Sequence, residues 1–481
     1  MVLFLKELFK MVKTMFRYAL TYLEKNWIHL KDRKPLVVRG ARQVGKTWLI
    51  RELAKSTKKQ MIEINFERDP QIKSLFETNN PKVILQNLEI YLGKNIDPFS
   101  SMLFLDEIQD APEILAKLRW FYEEMPTLPV IAAGSLLEFI LQDHSFSMPV
   151  GRITYLHLEP LSFEEFLKAI NEEQTLQFLQ NLILPSTPDD PHNKIPIAIH
   201  HKLQDRMRNY LQIGGMPAAI LAWIHQGANH ALNIQEDLLT TYRDDFFKYK
   251  GRIDVQKLDT LFKAIPSQLG EKFVYSKTDK AIQSAAAKHI LSLFNKARIA
   301  HIVKHSAGNK VPLAAETKDK SFKQIFLDVG LANRILGSFE VHPITGGIAE
   351  QLVGQILRCL FPPFIEPSLY YWNREAKGSN AEIDYIIEHN GRVIPIEVKA
   401  GNTGSLKSLH LFMHTKKLSL ATRINDDLPS ITPVNTTLND GTKVSYTLLS
   451  IPFYLTGQIH RLLDSIIKPG SRFMNDTNGV K

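Results

Sequence analysis

The segment GARQVGKT at residues 40–47 constrains this chain more than any other stretch. It satisfies G-x-x-x-x-G-K-[ST], a loop that functions only between a strand and a helix. The apolar run Leu36-Val37-Val38 precedes it and WLIRELAK follows, so the sequence supplies that setting. Gly40 and Gly45 let the backbone curl so that the N–H groups of Ala41, Arg42, Gln43 and Val44 turn toward phosphate oxygens. The helix that follows adds its positive N-terminal end. Lys46 supplies a point charge for the β- and γ-phosphates, and the Thr47 hydroxyl is a candidate magnesium ligand. The expected ligand is ATP or a similar nucleoside triphosphate with Mg2+.

A second motif supports the first. MLFLDEIQ at 102–109 is an apolar strand ending in two carboxylates, Asp106 and Glu107. Ligands in open α/β sheets bind at the C-terminal ends of the strands, so both acids are delivered to the same edge as the loop. Asp106 is expected to hold magnesium through its water shell, and Glu107 to polarise the attacking water. VIAAGSLLEF at 130–139 ends a third strand in Gly134-Ser135. Ser135 is placed either to touch the γ-phosphate or water, or to serve as a plain helix N-cap. Arg152, in the turn Pro149-Val150-Gly151-Arg152, is a candidate for stabilising phosphoryl transfer in cis or on a neighbouring subunit, or an ordinary surface arginine.

Strand candidates Leu36–Arg39, Met61–Asn65, Met102–Leu105, Val130–Ala133 and Ile153–Leu158 alternate with helical stretches, which predicts an α/β domain with a parallel sheet over 31–165. Residues 1–30 predict a peripheral N-terminal helix, 166–250 a helical lid or linker, and 466–481 a disordered tail. LPSTPDDPHNKIP at 184–196 reads as an exposed loop. Over 251–340 helices precede short strands at 299–304 and 323–327, the order of a winged helix. Such a module contacts nucleic acid or packs against protein; Lys288, His289, Lys296 and Arg298 are the candidate phosphate contacts.

The 481 residues carry 59 basic and 50 acidic side chains, a net charge of +9. That balance fits a polyanionic partner such as nucleic acid, and it fits plain solubility equally well. One cysteine, Cys359, excludes an internal disulfide and fits a reducing cytoplasm. No run reaches 18 apolar residues, so integral membrane association is not expected. Oligomeric state is left open by the sequence.

From 341 a further αβ block begins, expected to run to 465. Asp384 lies on AEIDYII, and Glu397 and Lys399 close the run VIPIEVK. His389-Asn390-Gly391 between them is a tight-turn sequence, so an antiparallel hairpin would bring Asp384 and Glu397 together. Glu397 and Lys399 share one face of their strand. Asp384 and Glu397 could hold one or two magnesium ions, with Lys399 orienting water for phosphodiester cleavage. A surface hairpin with a Glu/Lys pair would look the same. Trp372 and Arg374 precede the site as candidate nucleic-acid contacts.

The runs KPLVVRGARQVGKTWLIRELAK, LFLDEIQDAPEILAKLRWFYEE, VIAAGSLLEFIL and MPVGRITYLHLEPLSFEEFL resemble bacterial and archaeal AAA-type ATPases that carry a C-terminal domain of unknown function numbered 4143. YLQIGGMPAAI at 210–220, YRDDFFKY at 242–249, FLDVGL at 326–331 and the 370–401 stretch extend the resemblance over residues 15 to 460. It implies an AAA+-like P-loop core, a helical and winged-helix middle, and a restriction-endonuclease-like C-terminal domain with a D…(D/E)-x-K site. On that pattern Gly40, Gly45, Lys46 and Thr47 are phosphate-loop residues, Asp106 and Glu107 the second motif, Glu350 the extra acid of the nuclease fold, and Lys407 an auxiliary. ATP rather than GTP is an implication of the resemblance, since the loop reads phosphates and not the base. The expected activity is Mg-dependent ATP hydrolysis coupled to nucleic-acid binding or processing; the alternative is an ATP-dependent switch whose nuclease-like domain does not cleave.

Overall fold

The structure, a computed structural model, describes residues 15–134, 137, 149–184, 194–248, 254–278, 282–337, 346–376, 379–401 and 405–467. Ser135, most of the 184–196 loop, the first 14 residues and the tail from 468 lie outside them. Among the described residues no helix is long and apolar enough to cross a membrane.

A short helix α1 (Tyr18–Tyr22) leads into the first sheet. Its strands are β1 (Leu36–Arg39), β2 (Gln60–Asn65), β3 (Ser101–Asp106), β4 (Val130–Ala133) and β5 (Thr154–His157), with helices α2 (Lys46–Ser56), α3 (Pro81–Leu92) and α4 (Ile114–Glu124) in the crossovers. All neighbours are parallel, in the order β2-β3-β4-β1-β5. All six residues of β3 are buried, as a central strand covered on both faces requires. Asn65 lies opposite Asp106, Asp106 opposite Ala133, Val38 opposite Ala133, and Arg39 opposite His157. The strand ends therefore share one edge, and β4 sits between the loop strand and the strand of the two acids.

The middle is helical: α5 (Phe163–Ala169), α6 (Glu173–Asn181), α7 (Ile197–Ile213), α8 (Pro217–Gln226), α9 (Ala228–Lys248), α10 (Val255–Ser267) and α11 (Ser284–Lys296). Ser162 and Glu165 close a capping box at the start of α5. The hairpin β6 (Ala300–Ser306) and β7 (Thr317–Phe326) follows. It is longer than the sequence indicates, and it is not a free wing. β6 pairs in parallel with β8 (Leu369–Ala376), Val303 opposite Leu369, and so extends the C-terminal sheet across the boundary expected at 340.

That sheet holds eight strands in the order β12-β13-β11-β10-β9-β8-β6-β7. After α12 (Val329–Ile335) and α13 (Gly346–Cys359) come β8, β9 (Ser379–His389), β10 (Arg392–Val398), α14 (Lys407–Lys416), β11 (Leu420–Asn425), β12 (Ser430–Thr437), β13 (Lys443–Pro452) and α15 (Ile459–Ile466). β8, β9 and β10 are antiparallel in turn, and β11 runs parallel to β10. Asn390 and Gly391 both take positive φ in the two-residue turn between β9 and β10, the conformation a tight hairpin needs.

Two buried polar clusters join the halves. Asp328 is fully buried at the start of α12. Its Oδ2 accepts from Gly215 N–H at 2.6 Å and Gln355 Nε2 at 3.0 Å, and its Oδ1 from Leu331 N–H at 3.1 Å. The Gly215 carbonyl in turn accepts from Leu161 N–H at 2.7 Å, just after β5. In the second cluster Arg358 of α13 grips Glu159 through both carboxylate oxygens, at 2.7 and 3.0 Å. Arg298 donates to His157 Nδ1 at 3.0 Å and to Glu366 at 2.9 Å. Arg298 is thus buried in an ion cluster, which removes it from the candidate phosphate contacts. Lys288 and His289 remain exposed on α11.

Burial and then the Arg298 charge pull the His157 imidazole down to about 4. The unfolded chain takes up that proton near 6.5, so stability is full above 6.5 and is lost as pH falls toward 4. His157→Gln removes this contribution. Thermal unfolding followed by circular dichroism should show the variant losing less of its Tm than the parent over that window.

Candidate functional site

The loop at 40–47 joins β1 to α2 at the strand-end edge. A Cβ on Gly40 would come within 2.6 Å of the Leu158 carbonyl, so only glycine fits beside β5 there. Gly45 sits at φ 98°, a left-handed conformation natural to glycine, and caps α2. Lys46 opens the helix with a buried side chain, its Nζ donating to the Gly40 and Ala41 carbonyls at 2.9 Å each. Burial brings its ammonium down to about 8, against the pull of Glu107 and Asp106.

Thr47 Oγ1 donates to Asp106 Oδ2 at 3.3 Å. Asn65 Nδ2 points to the same oxygen at 3.5 Å, and Glu107 N–H donates to Asp106 Oδ1 at 3.1 Å. Burial, with Glu107 adding like charge, lifts the Asp106 carboxyl to about 6. Glu107 takes φ 50°, which turns the chain sharply out of β3. Its Oε2 accepts from Gln109 Nε2 at 2.6 Å. The Gln109 side chain lies against Gly134 at the end of β4, where a Cβ would meet its Oε1 at 2.2 Å. A hydroxyl, a carboxylate and a positioned second carboxylate thus converge beside the loop. Oxygen donors of this kind suit magnesium.

Residues far along the chain hold the loop in shape. Arg17 reaches Val44 O at 3.0 Å and Glu159 O at 2.6 Å. Tyr242 OH donates to Arg42 O at 2.8 Å, and the Arg42 guanidinium pairs with Asp245. The Arg42 carbonyl and side chain are thus both engaged by α9. Gln43 is exposed at φ 63°, and Ala41 and Val44 are buried. Sequence reading missed Arg17, Asn65, Gln109, Tyr242 and Asp245. The one available signal was YRDDFFKY, which contains Tyr242 and Asp245 but has no motif chemistry of its own.

Arg152 does not join this site. It precedes β5, while the loop follows the opposite, C-terminal end of β1; five residues at about 3.3 Å per residue separate the two ends by roughly 16 Å. Its guanidinium instead pairs with Glu123 of α4 at 2.8 Å. This geometry removes the role in cis.

The C-terminal constellation also assembles. Ile396 lies opposite Tyr385, so the next pair along the hairpin is Glu397 and Asp384. Asp384 Oδ2 accepts from Val398 N–H at 2.7 Å, and Lys399 Nζ meets Glu397 Oε1 at 2.7 Å. Burial and then Asp384 lift the Glu397 carboxyl to about 8, and its Oε2 has no partner. Glu350 of α13 faces the group, and its partner is Lys323 of β7 at 2.8 Å. Lys323 also pairs with Glu382 and lies 3.9 Å from Asp384 Oδ1. An ammonium, Lys323, thus lies among the carboxylates where Asp384 and Glu397 are expected to hold magnesium. Trp372 is buried against Phe412, ring centroids 4.9 Å apart, and has no face for a base; Arg374 and Lys407 are exposed.

Residues 32–167 match the model of an AAA domain, 204–341 that of a domain of unknown function, DUF8612, and 345–442 that of DUF4143. No curated protein matches the chain by sequence. Among solved structures it is similar to PCH-2 of C. elegans, at 12% identity over 46% of this chain and 65% of that one, with a TM-score of 0.26. It is similar to the Aeropyrum pernix ORC2 protein at 11% identity, 68% and 96% coverage and a TM-score of 0.23. The Thermotoga maritima RuvB Holliday junction branch migration motor gives 14%, 60%, 89% and 0.27.

Tyr242→Phe deletes one hydrogen bond to the loop and little else. A single such bond contributes about 1 kcal/mol, so titration with a fluorescent nucleoside triphosphate should show affinity weakened about fivefold.

Proposed function

We propose that this chain, an AAA domain joined to a DUF4143 domain, hydrolyses Mg-ATP and passes the nucleotide state to a nucleic-acid-binding C-terminal domain. The observation that carries the hydrolytic half is the approach of Thr47 Oγ1 to Asp106 Oδ2 at 3.3 Å, beside the buried Lys46. Thr47 and Asp106 would hold magnesium, which when bound draws charge from the phosphate oxygens. Lys46 Nζ gives its charge to the β- and γ-phosphates. The N–H groups of residues 41–45 grip the phosphates. Gln109 occupies Glu107 Oε2 and leaves Oε1 to accept the proton of the attacking water. Ser135 would touch the γ-phosphate from the end of β4. Arg152 would serve only a neighbouring subunit.

The route to the C-terminal domain runs from Arg42 through Tyr242 and Asp245 of α9 to α7, and from the Gly214-Gly215 turn through Asp328 to Gln355 of α13. A restriction-endonuclease-like reading of that domain is supported by its order: helix, three antiparallel strands, helix, parallel strand. It is supported also by the side-by-side Asp384, Glu397 and Lys399. The Lys323 ammonium among the carboxylates favours the second reading, a domain that binds nucleic acid without cutting it.

Lys46→Ala should abolish ATP binding. Glu107→Gln should bind ATP as the parent does and release phosphate at least about 100-fold more slowly, the usual scale for loss of a general base. Normal turnover by Glu107→Gln would refute the assignment.

A further inference from the structure

We propose that Lys323 is a built-in cation that occupies the position a divalent metal would need, so that the C-terminal carboxylates are neutralised by the chain itself. The inference rests on the nuclease-like reading of that domain and sharpens it. Lys323 comes from β7, outside the segment that supplies the D…(D/E)-x-K residues. Its side chain is 4% exposed, and its Nζ lies 2.8 Å from Glu350 Oε2, in contact with Glu382, and 3.9 Å from Asp384 Oδ1. Three carboxylates from α13 and β9 therefore converge on one ammonium.

The chain leaves this side chain little freedom. Lys323 pairs with Val303 across the β6–β7 hairpin and bridges Lys272 on its other side. The neighbouring Phe322 carbonyl accepts from Phe273 N–H at 3.0 Å. The Tyr371 ring lies 5.5 Å from the ammonium. Burial alone would lower the Lys323 pKa, but Glu350, Asp384 and Glu382 more than reverse that and hold it charged.

A magnesium ion needs oxygen ligands at about 2.0–2.1 Å and keeps most of its water shell. Glu350 Oε2 is held by Lys323 and Asp384 Oδ1 faces the same ammonium, and a second cation within about 3 Å would be repelled with little solvent to screen it. Asp384 has also spent its other oxygen on Val398 N–H. Glu397 is paired with Lys399 through Oε1, its Oε2 alone lacking a partner. Each acid of the constellation thus already has a cationic or N–H partner from the chain.

The test is Mn2+ binding to the full chain without nucleotide, read by isothermal titration and by the electron paramagnetic resonance signal of free Mn2+. The parent and Asp384→Asn should be indistinguishable up to millimolar metal. Lys323→Met should gain one site per chain with affinity raised at least tenfold, and Lys323→Met with Asp384→Asn should lose it. Lys323→Arg, which keeps the cation, should behave as the parent. A site in the parent that Asp384→Asn abolishes overturns the proposal, and that comparison holds even where Lys323→Met fails to fold. No gain in a folded Lys323→Met overturns it as well. Metal-dependent cleavage of DNA or RNA by the parent, lost in Lys399→Ala, overturns both the internal cation and the non-cleaving reading. Asp384-dependent Mn2+ binding without cleavage overturns the internal cation alone.

Discussion

The buried carboxylate of Asp328 is the constraint on which the arrangement of the halves depends. A carboxylate taken out of water is tolerated only with its oxygens occupied, and here the partners come from three separate segments: the Gly215 backbone, the Leu331 backbone and the Gln355 amide. The fit leaves no slack, since a Cβ on Gly214 would fall 2.0 Å from Asp328 Oδ1. Gln355 also donates to Tyr210 OH, which donates to the Leu161 carbonyl. Removing one partner leaves a buried carboxylate oxygen short of a donor, at a cost of about 1–3 kcal/mol. The ATPase-like sheet and the C-terminal helix α13 are thereby held in one register, with the helical middle clamped between.

Around the phosphate loop the same economy appears in reverse. Lys46 and Arg17 are satisfied by backbone carbonyls, and Arg42 by Asp245. The loop is therefore pre-shaped by contacts a phosphate need not disturb, except at Lys46, whose two carbonyl bonds are the ones a ligand competes with. Arg17 precedes α1, and Asp245 is near the end of α9. Two elements on opposite sides of the AAA-domain match in sequence thus set the shape of eight residues.

What was legible in the sequence is what one continuous segment determines. Strands at 36–39 and 130–133 end where their apolar runs end, and Gly40, Gly45, Lys46 and Thr47 lie within one eight-residue segment. The Asp384–Glu397 pairing was legible because a two-residue turn fixes the register on both sides of it. Illegible were contacts between distant segments. Tyr242 meets Arg42 across 200 positions and Lys323 meets Glu350 across 27, with no local pattern marking either. Arg298 looked available because charge in a helix-to-strand junction usually points outward; its partners Glu159 and Glu366 come from two other segments. The hairpin at 300–326 looked like a separate wing because pairing with β8 depends on a strand more than sixty residues beyond its start.

That shared sheet bears on how the molecule can be divided. β8 has neighbours on both sides, β9 and β6. A fragment cut to the 345–442 span of the DUF4143 match would lack β6, and also β13, which separates β11 from β12. Rows of bare N–H and C=O groups would then face solvent in the middle of a former sheet, a template for joining other chains edge to edge. The same cut discards Lys323 and leaves Glu350, Glu382 and Asp384 facing one another without their counter-charge. The unit of folding in the C-terminal half accordingly begins before β6, and the region that looks like a linker in sequence is the flank without which the C-terminal sheet is neither complete nor electrically balanced.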